Sequence, residues 1–266
     1  MDPAALSERS FRLRVALLIG LAFGIGLGVL YVPPIAQDPA YHAFADARTL
    51  LGLPHFWNVL SNAPFLPFGV WGLIALRKAR FHQPREAWAY RVAFAGTVLV
   101  GLGSSYYHWH PDNHTLFWDR LPMTLVFMAL LSAAIAERIH ARIGASLLLP
   151  FLVLGVLAID VWRRGELTGV GDLRLYVLVQ FYPMLMIPLL MALFPARYTR
   201  TRDIGWMVIW YLVAKVLELE DPAVFRLFGG SMGGHALKHL AASLSIAALV
   251  VMVAKREPVP VSATDS

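Results

Sequence analysis

The feature that most limits this chain is a set of long stretches without charge. No Asp, Glu, Lys or Arg occurs from Val15 to Val32, from Phe56 to Leu76, or from Leu175 to Ala196. A helix needs ~20 consecutive apolar residues to cross the hydrocarbon core of a bilayer, and each stretch is of that order. The rest of the chain follows suit: 58% of residues are hydrophobic, 15% are charged, and mean hydropathy is +0.60. Soluble domains carry about 25% charged residues, so an ordinary soluble globule is excluded. Eight apolar segments are expected, at about residues 15–32, 56–76, 88–107, 115–136, 143–161, 174–195, 204–219 and 234–254. Eight spanning helices consume roughly 160 residues. Short loops and two tails remain, with no room for a separate soluble domain of ~100 residues. The expected fold class is all-α, a polytopic membrane helix bundle.

Charge in the loops predicts orientation. With a cytoplasmic N-terminus, fourteen arginines and lysines fall on the cytoplasmic side, from Arg9 through Arg77, Arg138 and Arg197 to Arg256. Five fall opposite: Arg48, Arg163, Arg164, Arg174 and Arg226. That bias puts both termini in the cytoplasm. It also explains the net charge of +6 without nucleic acid, since no basic stripe interleaved with aromatics is present. The chain has no cysteine, which excludes disulfides, zinc–thiolate sites and a cysteine nucleophile. Residues 1–32 are read as a cytoplasmic N-terminus and a retained first helix, because the uncharged run exceeds the 7–15 residues of a signal peptide core. Gly20, Gly24 and Gly28 on that helix suit close packing against a neighbour. Residues 256–266 are read as a disordered cytoplasmic tail. The tryptophans fall mostly near helix ends, as in an interfacial belt.

Ionisable groups inside spanning helices are costly unless paired or hydrated, and so mark candidate sites. Here they are His108, Asp119, Arg120, Lys215, Glu218, Lys238 and His239, with His235 at a helix start. The topology brings them to one depth, near the outer face. His235 and His239 are four apart and project from one helix face, a spacing used for two ligands to one metal. His108 lies at the matching depth and is the best third ligand of a tetrahedral zinc site with a water. Zinc makes water acidic enough to attack at neutral pH, and Asp119 is suited to orient that water and move its proton. Ser104, one turn before His108, could bond a developing oxyanion. The blander reading makes Asp119 a salt-bridge partner of Arg120 or Lys238, and Ser104 a packing residue.

Other constellations are set aside. His110 and His114 flank Pro111 in what reads as a turn, and are expected to be solvated loop histidines. His42 and Asp46 are expected to serve loop structure, and Glu218, Glu220 and Asp221 to form a solvated acidic loop. No G-x-S-x-G elbow and no phosphate-binding G-x-x-x-x-G-K-[ST] loop occurs.

Three blocks carry a family pattern. They are Phe56-Trp57-Asn58-Val59-Leu60-Ser61-Asn62; Gly103-Ser104-Ser105-Tyr106-Tyr107-His108 followed by Asp119-Arg120-Leu121-Pro122-Met123; and His235-Ala236-Leu237-Lys238-His239. In these blocks the chain resembles the alkaline ceramidase family, within the CREST superfamily of seven-helix membrane hydrolases. The resemblance implies a seven-helix core in residues 33–255, preceded by one additional helix. It implies Zn2+ held by His108, His235 and His239, acid/base work by Asp119, and a transition-state contact from Ser104. It implies hydrolysis of the amide of a ceramide-like N-acyl lipid drawn from the bilayer. Three places depart from the family. His55 stands where an acidic calcium ligand precedes the first block, and Ala45-Asp46-Ala47-Arg48 stands where an acidic segment lies upstream, so calcium is not carried over; Arg120 replaces a glutamate. Alternatives are a receptor-like or scaffold member with structural zinc, and a lipid ester or phospholipid hydrolase using the same site. A transporter is a weaker reading, since no internal repeat is seen.

Overall fold

A computed structural model describes residues 6–260. It is an all-α bundle of α1 (Glu8–Tyr31), α2 (Phe56–Leu60), α3 (Phe65–Ala75), α4 (Ala87–Trp109), α5 (Asn113–Arg138), α6 (Ala141–Thr168), α7 (Arg174–Leu193), α8 (Arg202–Leu219), α9 (Asp221–Leu227) and α10 (Gly234–Lys255). Among the described residues there is no strand beyond two isolated bridges. Each apolar segment expected from the sequence is helical. Five helices are long and apolar enough to cross a membrane by themselves: α1, α5, α6, α7 and α10. The remaining expected spans are the divided α2–α3 pair, α4 and α8.

The second segment breaks because Pro64 has no N–H to continue the ladder. Ser61 to Pro64 form a turn, and the chain resumes as α3 at Phe65. This break turns Ser61 and Asn62 toward the bundle interior, where both are buried. The sixth element runs past the expected residue 161 to Thr168, with an Asp160–Arg164 pair at 2.7 Å one turn apart. Trp162, assigned to the interfacial belt from its position, is instead fully buried in the bundle.

α5 is the central element, packed by α4, α6 and α7. Of its apolar window 72% is buried, against 6% for α1. α1 lies outside the others and touches α7 through Phe11 on Phe194 and Arg14 on the Leu193 carbonyl. The expectation that Gly20, Gly24 and Gly28 mediate close packing is not met: a Cβ at any of them would meet no atom within 4 Å. Glycine repeats permit close approach but do not cause it, and no helix lies against that face among the described residues.

At the end of the bundle away from His108, Arg256 is buried against Glu137, and its guanidinium stacks on Phe81, Tyr90 and Tyr198 at 4.2–4.8 Å. Tyr90 Oη donates to Glu137 at 2.7 Å, and Tyr198 Oη to Glu86 at 2.7 Å. Residues 257 and 259, expected in a free tail, are instead bonded to the bundle. Val259 N donates to the Arg197 carbonyl and Glu257 N to Thr199 Oγ1, both at 2.9 Å. The remainder of the tail, residues 261–266, lies outside the described residues.

Candidate metal centre

Two helices bring the histidines together. His108 closes the last turn of α4, and His235 and His239 occupy successive turns at the start of α10. One ring nitrogen from each lies within 4.8 Å of the others, and all three side chains are buried. His108 Nε2 and His235 Nε2 are 3.3 Å apart. Ring centroids are separated by 4.8–5.1 Å, so the imidazoles enclose a common point without stacking. His108 Nδ1 has no hydrogen-bond partner. A cluster of three buried imidazoles with no interposed carboxylate suits a borderline metal ion such as zinc.

The surroundings fix the rings. Ser61 Oγ lies 2.8 Å from His239 Nδ1, leaving Nε2 to face the cluster. Asn62 Nδ2 lies 3.4 Å from the same nitrogen and donates to the Asn58 carbonyl at 2.8 Å. Asn58 Nδ2 in turn donates to the Asp46 carbonyl at 3.2 Å. The helix break at Pro64 thus supplies the outer support of His239, a role the sequence reading left unassigned. Asp221, expected in a solvated loop, is buried and works as a cap from a different element. Its Oδ1 accepts from His235 N and its Oδ2 from Ala45 N, both at 2.9 Å. This ties the first loop over the site, where Phe44 packs 4.4 Å from the His235 ring and 4.8 Å from that of His108.

Asp119 and Ser104 are buried beside the cluster and line one cavity of about 420 Å³ with His239. Gly103 makes their approach possible. A side chain there would collide with the Trp118 carbonyl, so α4 and α5 touch backbone to backbone. That carbonyl lies four residues before Pro122, which has no N–H to bond it.

Glu218 also differs from expectation. It is no solvated loop residue but bonds both Lys215 and Lys238, the latter at 2.5 Å. Lys238 is therefore engaged by Glu218 rather than Asp119. The cavity has these charges at one end and Val126, Phe127, Leu130, Met207 and Ile246 deeper in. From Asp119 to Leu130 the α5 wall runs about 16 Å. α7 and α8 both wall the cavity yet make little direct contact, joined by Gln180 Nε2 donating to Tyr211 Oη at 3.1 Å.

The set-aside histidines contribute no ring nitrogen to the cluster. His110 and His114 are exposed. His42 bonds Tyr107 Oη and Asn113 Oδ1, each at 2.9 Å. Asp46 pairs with Arg48 at 2.8 Å; burial pushes its carboxyl upward, but the Arg48 hydrogen bonds and charge outweigh this and hold it below the usual range. Burial pushes His55 down.

The family description for ceramidase matches residues 53–218. The chain belongs to the ceramidase family. The matched stretch contains the α2–α3 break, Ser104, His108 and Asp119. His235 and His239 lie beyond it and join the site through the packing of α10 on α3 and α8. Searches of curated proteins and of solved structures found no match. Membership in the ceramidase family implies hydrolase activity on a ceramide-like lipid, and the apolar helices fit a protein that meets that lipid in the membrane.

Proposed function

We propose that this ceramidase-family protein is a zinc-dependent intramembrane hydrolase that cleaves the amide of a ceramide-like N-acyl lipid and releases a fatty acid. The observation that carries the reading is the buried His108–His235–His239 cluster opening, through His239, onto a cavity shared with Asp119 and Ser104. The three histidines would hold the metal, with Ser61 setting the His239 tautomer. Zinc, when bound, supplies Lewis acidity and a water made nucleophilic near neutral pH. Asp119 takes a proton from the attacking water and returns it to the departing nitrogen. The Ser104 hydroxyl donates to the oxygen on which negative charge develops. The apolar depth of the cavity holds the acyl chain. The gap between α7 and α8 gives the lipid a sideways route from the bilayer. Both termini are cytoplasmic and the site faces the outer side, on the loop-charge argument.

The test is metal analysis of the detergent-purified protein, followed by assays on matched N-acyl amides and acyl esters. We expect about one zinc per chain, faster amide than ester cleavage, and loss of turnover in Asp119→Asn by about 10²–10⁴-fold with zinc retained. Absence of metal from the wild type, or full activity in His239→Ala, would remove the proposal.

A further inference from the structure

Arg120 is the residue the proposed mechanism leaves unused. It is adjacent to Asp119 on α5, is 3% exposed, and lines the same cavity. Its guanidinium carbon sits 4.6 Å from the Tyr176 ring, 4.8 Å from Trp162 and 5.1 Å from Tyr41. Aromatic faces stabilise a cation but do not accept its in-plane N–H groups well. Nε and Nη1 have no hydrogen-bond partner. Among the described residues no carboxylate lies within ion-pair distance of it. The other two cations lining the cavity, Lys215 and Lys238, share Glu218. Burying an unpaired guanidinium is costly, and its fixed planar fork of donors matches a carboxylate or phosphate. The cost is offset when an anion binds.

We infer that Arg120 is a specificity-determining residue that selects an N-acyl lipid bearing an anionic group, carboxylate or phosphate, close to the scissile amide. The inference rests on the hydrolase reading for the position of that amide, because Asp119 and Arg120 are neighbours in one cavity. It requires no contribution from the metal. The anion bonds the guanidinium edge, the aromatic faces keep the fork oriented, and the acyl chain runs into the apolar depth. A neutral head of the same size leaves the Arg120 donors without acceptors, which disfavours it.

The experiment uses two matched pairs: N-palmitoylglycine with N-palmitoylethanolamine, and ceramide 1-phosphate with ceramide. Dissociation constants are measured on zinc-loaded Asp119→Asn protein in neutral detergent, and kcat/KM on the wild type. The expected result is about tenfold or more tighter binding of the anionic member in at least one pair. Which pair shows it identifies the anion as carboxylate or phosphate. Adding Arg120→Gln should bring that ratio close to one. Equal binding within both pairs, or a preference that survives Arg120→Gln, overturns the inference. If Arg120→Gln does not fold, Arg120→Lys decides: replacing the fork by a compact charge should shrink the ratio severalfold, and an unchanged ratio is fatal. Failure of the hydrolase reading is separate. Anion-selective binding with no turnover of any lipid supports the Arg120 subsite while ending the hydrolase proposal. Turnover of neutral amides without anion selectivity does the opposite.

Discussion

Ser61 Oγ stands 2.8 Å from His239 Nδ1, and this contact joins the broken second span to the histidine cluster on α10. An imidazole that bonds through one nitrogen is held in the tautomer and orientation that present the other. Outer contacts of this kind are worth about 10–100-fold in metal affinity or activity. Ser61→Ala should therefore lose zinc at a lower chelator concentration than the wild type, by about that factor. Ser61→Thr should restore part of it. Identical chelator titrations for wild type and Ser61→Ala would show that the hydroxyl does not orient His239.

Gly103 tests the close approach of α4 and α5. A methyl group at this position meets the Trp118 carbonyl, which is backbone and cannot rotate away. Gly103→Ala should cost about 1–3 kcal/mol through forced separation of the helices. It should also reduce turnover more than the melting temperature alone explains, because Ser104 and Asp119 sit on the two elements pushed apart. A melt within a degree of the wild type in the same detergent would contradict the contact.

The Lys215–Glu218–Lys238 group predicts a non-additive pattern. Glu218 holds both ammonium groups, and its removal strands them in a poorly hydrated place. Glu218→Gln should destabilise by about 3 kcal/mol, the lower end for a broken buried pair, since the Lys215 side chain keeps 30% of its surface exposed. Combining it with Lys238→Met should recover part of that loss. Additive losses in the double variant would argue against a shared network.

Glu86 gives a pH-dependent expectation. It lies in the turn before α4, outside the spans, and burial raises its pKa more than the Tyr198 hydrogen bond lowers it. The folded state then binds the proton more tightly than the unfolded state. Its contribution is fully present below the ordinary Glu pKa and is lost as pH rises through the raised folded value. Glu86→Gln should flatten the part of the stability–pH curve just above the usual carboxylate range. Melts of the two proteins across that window check it, and parallel curves would refute it.

Much of this was readable in the residues because membrane helices state their physics openly. Long apolar runs located the helices, five of them long and apolar enough to cross a membrane by themselves, and the few ionisable groups within the runs pointed to the site. His108, His235 and His239 meet as helical spacing and matched depth suggested. What escaped was the work of residues whose partners are distant in sequence. Asp221 looked like a loop acid because its acceptors are used by Ala45 and His235, brought there only by folding. Trp162 near a helix end resembled an interfacial anchor until α6 continued past it and buried it beside Arg120. Ser61 lies in a run whose composition reads as one helix, and only the break before Pro64 turns its hydroxyl toward His239. The glycines of α1 failed in the opposite direction, being permissive for a contact the fold does not make.

The cavity is polar at the histidine end and apolar toward Leu130 and Ile246. Under the proposed reaction, that one-way gradient sets a kinetic order. Once the bond is cut, the hydrophilic half rests where water and charge already are and can depart first. The freed acyl chain is still sunk among Val126, Phe127 and Met207 and leaves last. Long-chain fatty acids should therefore act as competitive product inhibitors, growing more potent with chain length until the chain fills the ~16 Å of α5 wall. Turnover on the longest substrates would then be governed by emptying the cavity instead of by bond cleavage.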